Sequence, residues 1–368
     1  FSTKSRVKMT CCSQMAATMR ILLQRSHSRW QKKELKDPVV IAADIVAKIT
    51  ALPEAVGLEV SAKGPYINFI FGGDYIAESV RSARHPDYGQ LPARIERVIL
   101  EHTSANPNGP LHVGHIRNTV IGDTLVRAFR KAGYPVEAQY YLNDMGRQIA
   151  IVAWGVKHLH YERLPGEKGD EFIVRHYIEA NKIAKDKPEI EHEFDEMMEK
   201  IEAGDPETVK LFHYSVDICT EGIKETLAAM NVCHDRFVRE TTFLWNGDMQ
   251  KVLARVEALP DAQHDGQMMY LDLSDKGFGN RYVLRRSNGT SVYAARDLAF
   301  HLWKNAQCDR SIDVLGADHK LIGSQLRTTL AMIGERSPEI VNFEFVSLPD
   351  SSMTTRGGVF ITADELLA

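Results

Sequence analysis

Changes in the spacing of apolar residues divide the chain into segments of different predicted structure. After Asp37-Pro38, isoleucines recur every four residues as far as Ile49, which predicts a helix that begins at the proline. Short runs rich in β-branched and aromatic residues flank Gly64-Pro65 and predict two strands. The pattern predicts a small α+β domain over residues 1–88, with helices over Met15–Lys36 and from Pro38, and strands over Leu58–Ala62 and Tyr66–Phe71.

A β-α-β pattern opens the second part of the chain. Arg97–His102 predicts a buried strand, Leu111–Ala132 predicts a helix that stops at Gly133, and Pro135–Leu142 predicts the next strand. A crossover helix between two strands implies that the strands are parallel. Residues 151–258 are charged and have helical spacing, so they are predicted to form a mostly helical insertion.

Strands and helices alternate again from residue 259 onward. This alternation predicts an α/β fold with a doubly wound parallel sheet, formed by residues 95–150 and 259–368. Ligands of such sheets bind beyond the carboxyl ends of the strands. Strands are predicted over Met268–Leu273, Arg281–Arg286, Ile312–Leu315 and Phe343–Val346, and helices over Tyr293–Asn305 and Lys320–Ile333.

Composition indicates a globular protein without membrane spans or disulfide bonds. The chain has 368 residues, of which 44% are hydrophobic, and this is enough for a large core. No run of 18 uncharged apolar residues occurs, so we expect no membrane span. The five cysteines form no C-x-x-C pair, and we predict reduced thiols, no bound structural metal and a cytoplasmic location. The chain starts with Phe1 and stops at Ala368 within a predicted helix, so we expect a fragment of a longer protein.

Charge is distributed unevenly along the chain. The net charge is −4, but residues 1–36 carry nine Lys and Arg against Glu34 alone. A basic segment of this kind is consistent with contact to a polyanion or with an ordinary solvated surface, and charge alone does not decide between them.

The segment Val98–His115 carries the clearest chemistry. It predicts a buried strand, a turn-rich loop, and a helix whose first turn has His112 and His115 on one face. A helix start has free backbone N–H groups and a positive dipole end, which suit phosphate, and Gly114 lets a flat ligand approach. The pair favours nucleotide chemistry; metal ligation and two satisfied polar residues are the alternatives.

Longer motifs connect these residues to a known family. His112-Val-Gly-His115 resembles the His-Ile-Gly-His signature of class I aminoacyl-tRNA synthetases. The surrounding segments Glu101–His115 and Tyr140–Gln148 resemble arginyl-tRNA synthetases. Further matches follow in family order at Gly289–Asp297, Gly316–His319, Gln325 and Met353–Gly358.

The resemblance implies a Rossmann-type catalytic domain and an N-terminal domain that contacts tRNA. It implies ligation of L-arginine to tRNA(Arg), with ATP and Mg²⁺, and an activation step that needs bound tRNA. It also implies that a helical anticodon-binding domain follows Ala368 in the parent protein. We expect a monomer.

The resemblance also assigns roles to individual residues. The side chain of arginine is assigned to Glu101, Tyr293 and Asp297, and its amino-acid end to Asn106 and Gln325. Phosphate contacts are assigned to His112 and His115, and adenine and ribose contacts to Gly114, Gly316 and Asp318. The signature loop contributes Met353, Thr355 and Arg356. Only Arg356 is a cation there, where many class I synthetases have two lysines.

The residue types themselves fit arginine. A guanidinium is planar and permanently charged, and carboxylates bind it best in bidentate geometry. Tyr293 and Asp297 are four residues apart in a predicted helix, so they share a face, while Glu101 ends a separate strand. We expect these groups to converge on one cavity beside the histidines. A surface ion pair of Asp297 with Arg296 or with a neighbouring lysine is the ordinary alternative.

Two other functions stay open. One is that of another class I synthetase, and the other is that of a catalytically silent, synthetase-derived RNA-binding protein.

Overall fold

The computed structural model describes residues 9–10, 18–21, 37–55, 57–279, 281–344 and 361–368. The chain divides into two compact units, Phe1–Gln90 and Leu91–Ala368.

The first unit contains a four-stranded antiparallel sheet of order β1-β2-β4-β3. Helix α1 begins at Asp37, whose carboxylate accepts a hydrogen bond from the Val39 N–H at 2.8 Å, with Pro38 in the first turn as predicted. The elements are β1 (Met9–Thr10), β2 (Thr18–Ile21), α1 (Pro38–Thr50), β3 (Leu58–Lys63), β4 (Tyr66–Phe71) and α2 (Gly73–Ala83).

The prediction of a helix over Met15–Lys36 is wrong where the structure describes it. Residues Thr18–Ile21 form β2, which pairs antiparallel with Ile67–Ile70 of β4. Pairing with a distant strand has overridden the local helical pattern. Residues 15–17 and 22–36 of that predicted helix lie outside the described residues.

The second unit is built on a five-stranded parallel sheet of order β12-β11-β5-β6-β7. The chain starts at the central strand β5, moves outward through β6 to β7, and then returns to the other side of β5 for β11 and β12. This order confirms the predicted doubly wound sheet. Its strands are β5 (Val98–Glu101), β6 (Val136–Leu142), β7 (Arg236–Arg239), β11 (Arg310–Gly316) and β12 (Glu339–Phe343).

Helices cover the sheet, and four of them follow one another in the chain segment that connects β6 to β7. Alternate residues of β5 face opposite ways: Val98 and Leu100 pack with Val126 of helix α3, and Glu101 faces the other side. The helices are α3 (Val113–Lys131), α4 (Arg147–Leu159), α5 (Gly169–Asp186), α6 (Ile190–Glu202), α7 (Pro206–Ala229), α8 (Thr241–Trp245), α9 (Asp248–Glu257), α10 (Tyr293–Gln307), α11 (Lys320–Met332) and α12 (Ala363–Leu367).

Strands β7 and β12 differ from their predictions. Strand β7 lies within the stretch predicted to be helical; it is four residues long with an arginine at each end, which hides its apolar character. The strand predicted at Phe343–Val346 instead ends at Phe343, because Glu339–Phe343 pairs in register with Ile312–Gly316. Residues 345 and 346 lie outside the described residues.

The strands predicted over Met268–Leu273 and Arg281–Arg286 are present, but they lie in a separate antiparallel sheet of order β10-β9-β8 and not in the parallel sheet. A tight turn at Gly266, where φ is +61°, joins β8 to β9 and forces the antiparallel direction. Its strands are β8 (Ala262–Asp265), β9 (Met268–Leu271) and β10 (Tyr282–Arg285).

Helix α3 approaches the loop after β5 at Gly122. A Cβ atom there would lie 2.2 Å from the Cβ and Cγ atoms of the buried His102. We predict that Gly122→Ala lowers the free energy of unfolding by about 1–3 kcal/mol or more, because the backbone fixes the Cβ of His102 and a side-chain rotation cannot relieve that overlap. Denaturant titration measures this. Gly73→Ala, in helix α2 with open space around its new Cβ, is the control, and equal effects of the two substitutions would contradict this packing.

Candidate functional site

The candidate site lies at the carboxyl ends of β5 and β11. These adjacent parallel strands are where the direction of the sheet's winding changes, the position at which doubly wound sheets bind ligands. Glu101 ends β5 and Gly316 ends β11. The helix with the two histidines, α3, follows β5.

The two histidines have a defined arrangement at the start of α3. His112 is the N-cap, and its Nδ1 accepts a hydrogen bond from the Gly114 N–H at 3.2 Å. The Nδ1 of His115 accepts from the His112 N–H at 3.2 Å, and the two rings stack with centroids 3.7 Å apart. Because each Nδ1 is an acceptor, each neutral ring carries its proton on Nε2.

Both imidazoles are neutral near pH 7. Burial lowers the pKa of His112, and burial together with repulsion between the protonated forms of the two rings lowers the pKa of His115 to about 3. The pair therefore provides neutral Nε2–H donors next to a helix N-terminus.

A buried chain of charged side chains joins Glu101 to Asp297. Lys304 Nζ donates to Glu101 Oε2 at 2.9 Å and to Asp313 Oδ1 at 2.7 Å. His301 Nε2 lies 2.8 Å from Asp313 Oδ2, and His301 Nδ1 lies 3.1 Å from Asp297 Oδ1. Glu101 and Asp297 thus contact the same buried network on one side of the sheet, as their predicted convergence requires.

Burial and neighbouring charges act against each other in this network. Burial and Lys304 act to lower the pKa of His301, but Asp313 and Asp297 outweigh them and raise it to about 9. Burial acts to raise the pKa of Asp313, but Lys304 and His301 hold it below its ordinary value. The imidazole is therefore a cation and Asp313 an anion at neutral pH.

Tyr293 and Asp297 lie one turn apart on α10, as predicted. The Tyr293 hydroxyl packs against Gly146, where φ is +88° and a Cβ would lie 2.8 Å from the hydroxyl oxygen. Arg296 does not pair with Asp297: it is buried, donates to Glu240 and Ser291, and its guanidinium lies 5.0 Å from the centre of the Tyr293 ring. Among the residues that the structure describes, the ion-pair partner of Asp297 is His301 rather than Arg296 or a lysine.

A cavity of about 330 Å³ opens beside Tyr293. The side-chain oxygen of Gln148, in its wall, accepts hydrogen bonds from Asn106 at 2.8 Å and Asn108 at 3.1 Å. The predicted residue Asn106 is thus held next to this cavity. The lining residues are Met145, Gly146, Arg147, Gln148, Met198, Glu202, Arg286, Ser291, Tyr293 and Arg296.

The remaining predicted residues have different surroundings. Gln325 is buried on α11. Asp318 lies in the short turn after β11 with its Oδ1 against Gly316, and the N-caps of the two helical segments there are Gly316 and His319, not Asp318. Met353, Thr355 and Arg356 lie outside the described residues.

The chain that follows the signature loop contacts the start of α3. The Ala363 N–H donates to the Leu111 carbonyl at 2.7 Å, and the Val113 N–H donates to the Ile361 carbonyl at 3.2 Å. These bonds fix the end of the loop segment beside the histidines.

Sequence reasoning missed Lys304, His301 and Asp313. For two of them the sequence contains a signal. His301 and Lys304 follow Asp297 by four and seven residues, so Asp297, His301 and Lys304 share one face of α10. That face also packs into the core, where a lysine needs buried partners.

Within the described ranges, no cluster of three or more His, Cys, Asp or Glu side chains is arranged to hold a metal ion. Helices in the same ranges are all too short or too polar to cross a membrane.

Comparison with known proteins gives consistent matches. Residues 84–368 match the family model described as tRNA synthetases class I (R), catalytic domain. The chain is 82% identical over 337 residues to a protein of Methanocorpusculum labreanum named arginine–tRNA ligase, covering 92% of this chain and 60% of that protein. A Methanoregula boonei protein of the same name is 57% identical, with 91% and 61% covered. The chain thus spans about three-fifths of these relatives.

A solved structure matches the fold. The Thermus thermophilus arginyl-tRNA synthetase superimposes with a TM-score of 0.70 at 24% identity, covering 98% of this chain and 65% of that one.

Two buried histidines behind the site predict a dependence of stability on pH. The rings of His102 and His234 lie 4.2 Å apart, and burial is the main cause that lowers their pKa values to about 2 and about 4. The unfolded chain, with the ordinary value near 6.5, binds more protons below that pH. The free energy of unfolding should therefore fall by about 2 kcal/mol per histidine between pH 7 and pH 5.

Denaturant titrations at several pH values test this. His234→Phe removes one of the two groups, so the slope of stability against pH should become shallower, whatever the stability of the variant at pH 7. An unchanged slope would contradict a neutral, buried His234.

Proposed function

The chain belongs to the class I tRNA synthetase (R) family, in which R is the code for arginine, and we propose that it forms the catalytic part of an enzyme that joins L-arginine to tRNA(Arg). The observation that carries this proposal is the network in which Glu101 and Asp297, from separate elements, meet on one side of the sheet. Carboxylates are the groups that bind a guanidinium best, so their meeting in this network supports an arginine site.

We assign the side chain of arginine to Asp297, Tyr293 and Glu101. Asp297 is the most exposed acid of the network, with about a third of its side chain accessible. Glu101 has one oxygen bound to Lys304, and its other oxygen accepts from Ser104 at 3.0 Å. Asp297 is therefore the main partner of the guanidinium, and a lysine substrate, which lacks the planar fork, is rejected without an editing step.

Asn106 and Gln325 are assigned to the amino and carboxylate groups of arginine. Asn106 is tied through Gln148 to the cavity beside Tyr293, which supports its role. Gln325 is supported by the family motif and by its position on the helix that follows β11.

ATP is the second substrate, and it brings Mg²⁺ bound to its outer phosphates. In the first step, a carboxylate oxygen of arginine attacks the α-phosphorus, an O–P bond forms, and pyrophosphate leaves. His112 and His115 donate their Nε2–H groups to the phosphate oxygens as charge builds up on them. Because the rings are neutral, they do this without losing or gaining a proton.

Gly114, Gly316 and Asp318 are assigned to adenine and ribose. They lie at the carboxyl end of the sheet, on the helix after β5 and on the turn after β11. Met353, Thr355 and Arg356 are assigned to the pyrophosphate, on the motif alone.

In the second step, a hydroxyl of the terminal ribose of tRNA attacks the carbonyl carbon of the adenylate and releases AMP. The basic residues 1–36 are the segment we assign to the tRNA body. The cytoplasmic location and the monomeric state stay predictions.

Exchange of labelled pyrophosphate into ATP tests the proposal. The chain, with and without tRNA(Arg), is assayed with arginine, lysine and a panel of other amino acids. We expect exchange with arginine alone. Exchange with another amino acid would favour a different synthetase, and binding of tRNA without any exchange would favour a silent RNA-binding protein.

Removal of the Asp297 carboxylate should impair the use of arginine without impairing the binding of ATP. Asp297→Ala is expected to abolish arginine-dependent exchange and to leave the Kd of ATP unchanged, because of the two substrates only arginine is assigned to Asp297. Asp275→Ala, which removes an exposed acid paired with Lys276, is the control. Equal loss of ATP affinity in Asp297→Ala would mean that the two pockets are misassigned.

Removal of one donor should slow the first step. His115→Ala is expected to lower the rate of adenylate formation by ~10²–10³, the effect of losing one transition-state donor. His115→Asn can still accept from the His112 N–H but lacks the Nε2–H, so it should be equally slow. Recovery of the rate in His115→Asn would show that His115 only caps the helix.

A further inference from the structure

Three residues of the buried network have no role in the assignments above. They are His301 and Lys304 on α10 and Asp313 on β11. All three are almost inaccessible, with exposed fractions of 3%, 0% and 2%. Buried ion pairs contribute little net stability, because desolvation of the charges offsets their attraction. Their presence at this point therefore calls for a reason other than stability.

Asp313 lies directly opposite Glu101 in the pairing of β11 with β5. Two carboxylates at paired positions of neighbouring strands, on the same face, repel each other unless a cation lies between them. The ammonium of Lys304 is that cation, at 2.7 Å and 2.9 Å from the two. Lys304 therefore fixes the position of Glu101.

His301 fixes the position of Asp297, as Lys304 fixes that of Glu101. Its Nδ1 is 2.8 Å from the Asp297 carbonyl oxygen and 3.1 Å from the Asp297 Oδ1, and its Nε2 is 2.8 Å from Asp313 Oδ2. Both ring nitrogens face acceptors, so both carry protons and the ring is an imidazolium. The imidazolium binds Asp297 to Asp313.

Burial raises the pKa of Glu101, and the charge of Lys304 opposes that shift. With Glu101 ionised, the five groups carry one negative charge in excess. The three carboxylates face two cations, and both cations contact Asp313. Asp297 is the member that extends out of the buried part of the network, with 32% of its side chain exposed. The excess charge is thus available where a monocation can reach it.

We propose that His301 and Lys304 are positioning residues for the recognition of arginine, a proposal that rests on the arginine site proposed above. Both bind Asp313, and through it they hold Asp297 and Glu101 in the geometry that a guanidinium requires.

The role of His301 has a sharp test, because the chain offers a matched control. His176, on α5, is also a buried helix histidine whose Nδ1 bonds the carbonyl four residues earlier, that of Phe172, at 2.9 Å. Glutamine places its amide nitrogen near the position of the histidine Nε2. His301→Gln therefore keeps a donor to Asp313 and loses the donor to Asp297.

Titration calorimetry of the 368-residue chain measures the Kd values of L-arginine and of MgATP separately. We expect His301→Gln to raise the Kd of arginine by about tenfold or more without changing the Kd of ATP. His176→Gln should change neither. An imidazolium that only repelled the cationic substrate would give tighter arginine binding when it is removed. Tighter or unchanged binding of arginine by His301→Gln would therefore overturn the proposal.

The role of Lys304 is tested by a pair of variants. Lys304→Met leaves two facing carboxylates without their cation, so we expect a lower melting temperature and weaker arginine binding. Lys304→Met/Asp313→Asn removes one of those carboxylates too, so the melting temperature should recover, while arginine binding stays weak because Glu101 has lost its anchor. Recovery of both would reduce Lys304 to a structural role and overturn its part in the proposal.

Failure of the proposed function is distinguishable from failure of this inference. An unsubstituted chain that binds ATP but not arginine overturns the proposed function, and with it the inference. An unsubstituted chain that binds arginine, together with a His301→Gln variant that binds it equally well, overturns the inference alone.

Discussion

The Nζ atom of Lys304 lies between the carboxylates of Glu101 and Asp313, and the arrangement of the site depends on this contact. The pairing of β5 with β11 puts those acids side by side, where they would repel each other without the ammonium. With it, β5 can end in the carboxylate of Glu101 beside the carboxylate of Asp313 in β11, where the sheet changes its direction of winding. Asp313 then has a second oxygen for His301, and His301 extends the network to Asp297.

The two halves of the site use opposite electrostatic means. At the acid network, opposite charges are kept in a buried region by pairing, so that one negative charge is left over. At the start of α3, burial instead removes charge: His112 and His115 bind backbone N–H groups through Nδ1 and stay neutral. Neutral donors and a helix dipole suit an anion whose charge grows during reaction, whereas a fixed carboxylate suits a permanent cation.

Features set by local chemistry could be predicted from the sequence. The crossover from β5 through α3 to β6 follows from apolar periodicity and from Gly133, and the cap at Asp37 marks the start of α1. Features set by tertiary pairing could not: β2 pairs with β4 against its helical pattern, and β7 is short and flanked by arginines. The convergence of Glu101 with Asp297 was expected from the family motifs. Their link through Lys304 and His301 needs the contact of α10 with β11, which no local pattern contains.

A crystal structure of the chain with L-arginine and an ATP analogue that cannot be cleaved is the most direct test of the central claim. The account predicts that the guanidinium lies within hydrogen-bond distance of the Asp297 carboxylate, at about 2.7–3.0 Å. It also predicts that Lys304 stays between Glu101 and Asp313, and His301 between Asp313 and Asp297. A guanidinium bound away from Asp297, or a Lys304 that leaves Asp313 when arginine binds, would contradict it.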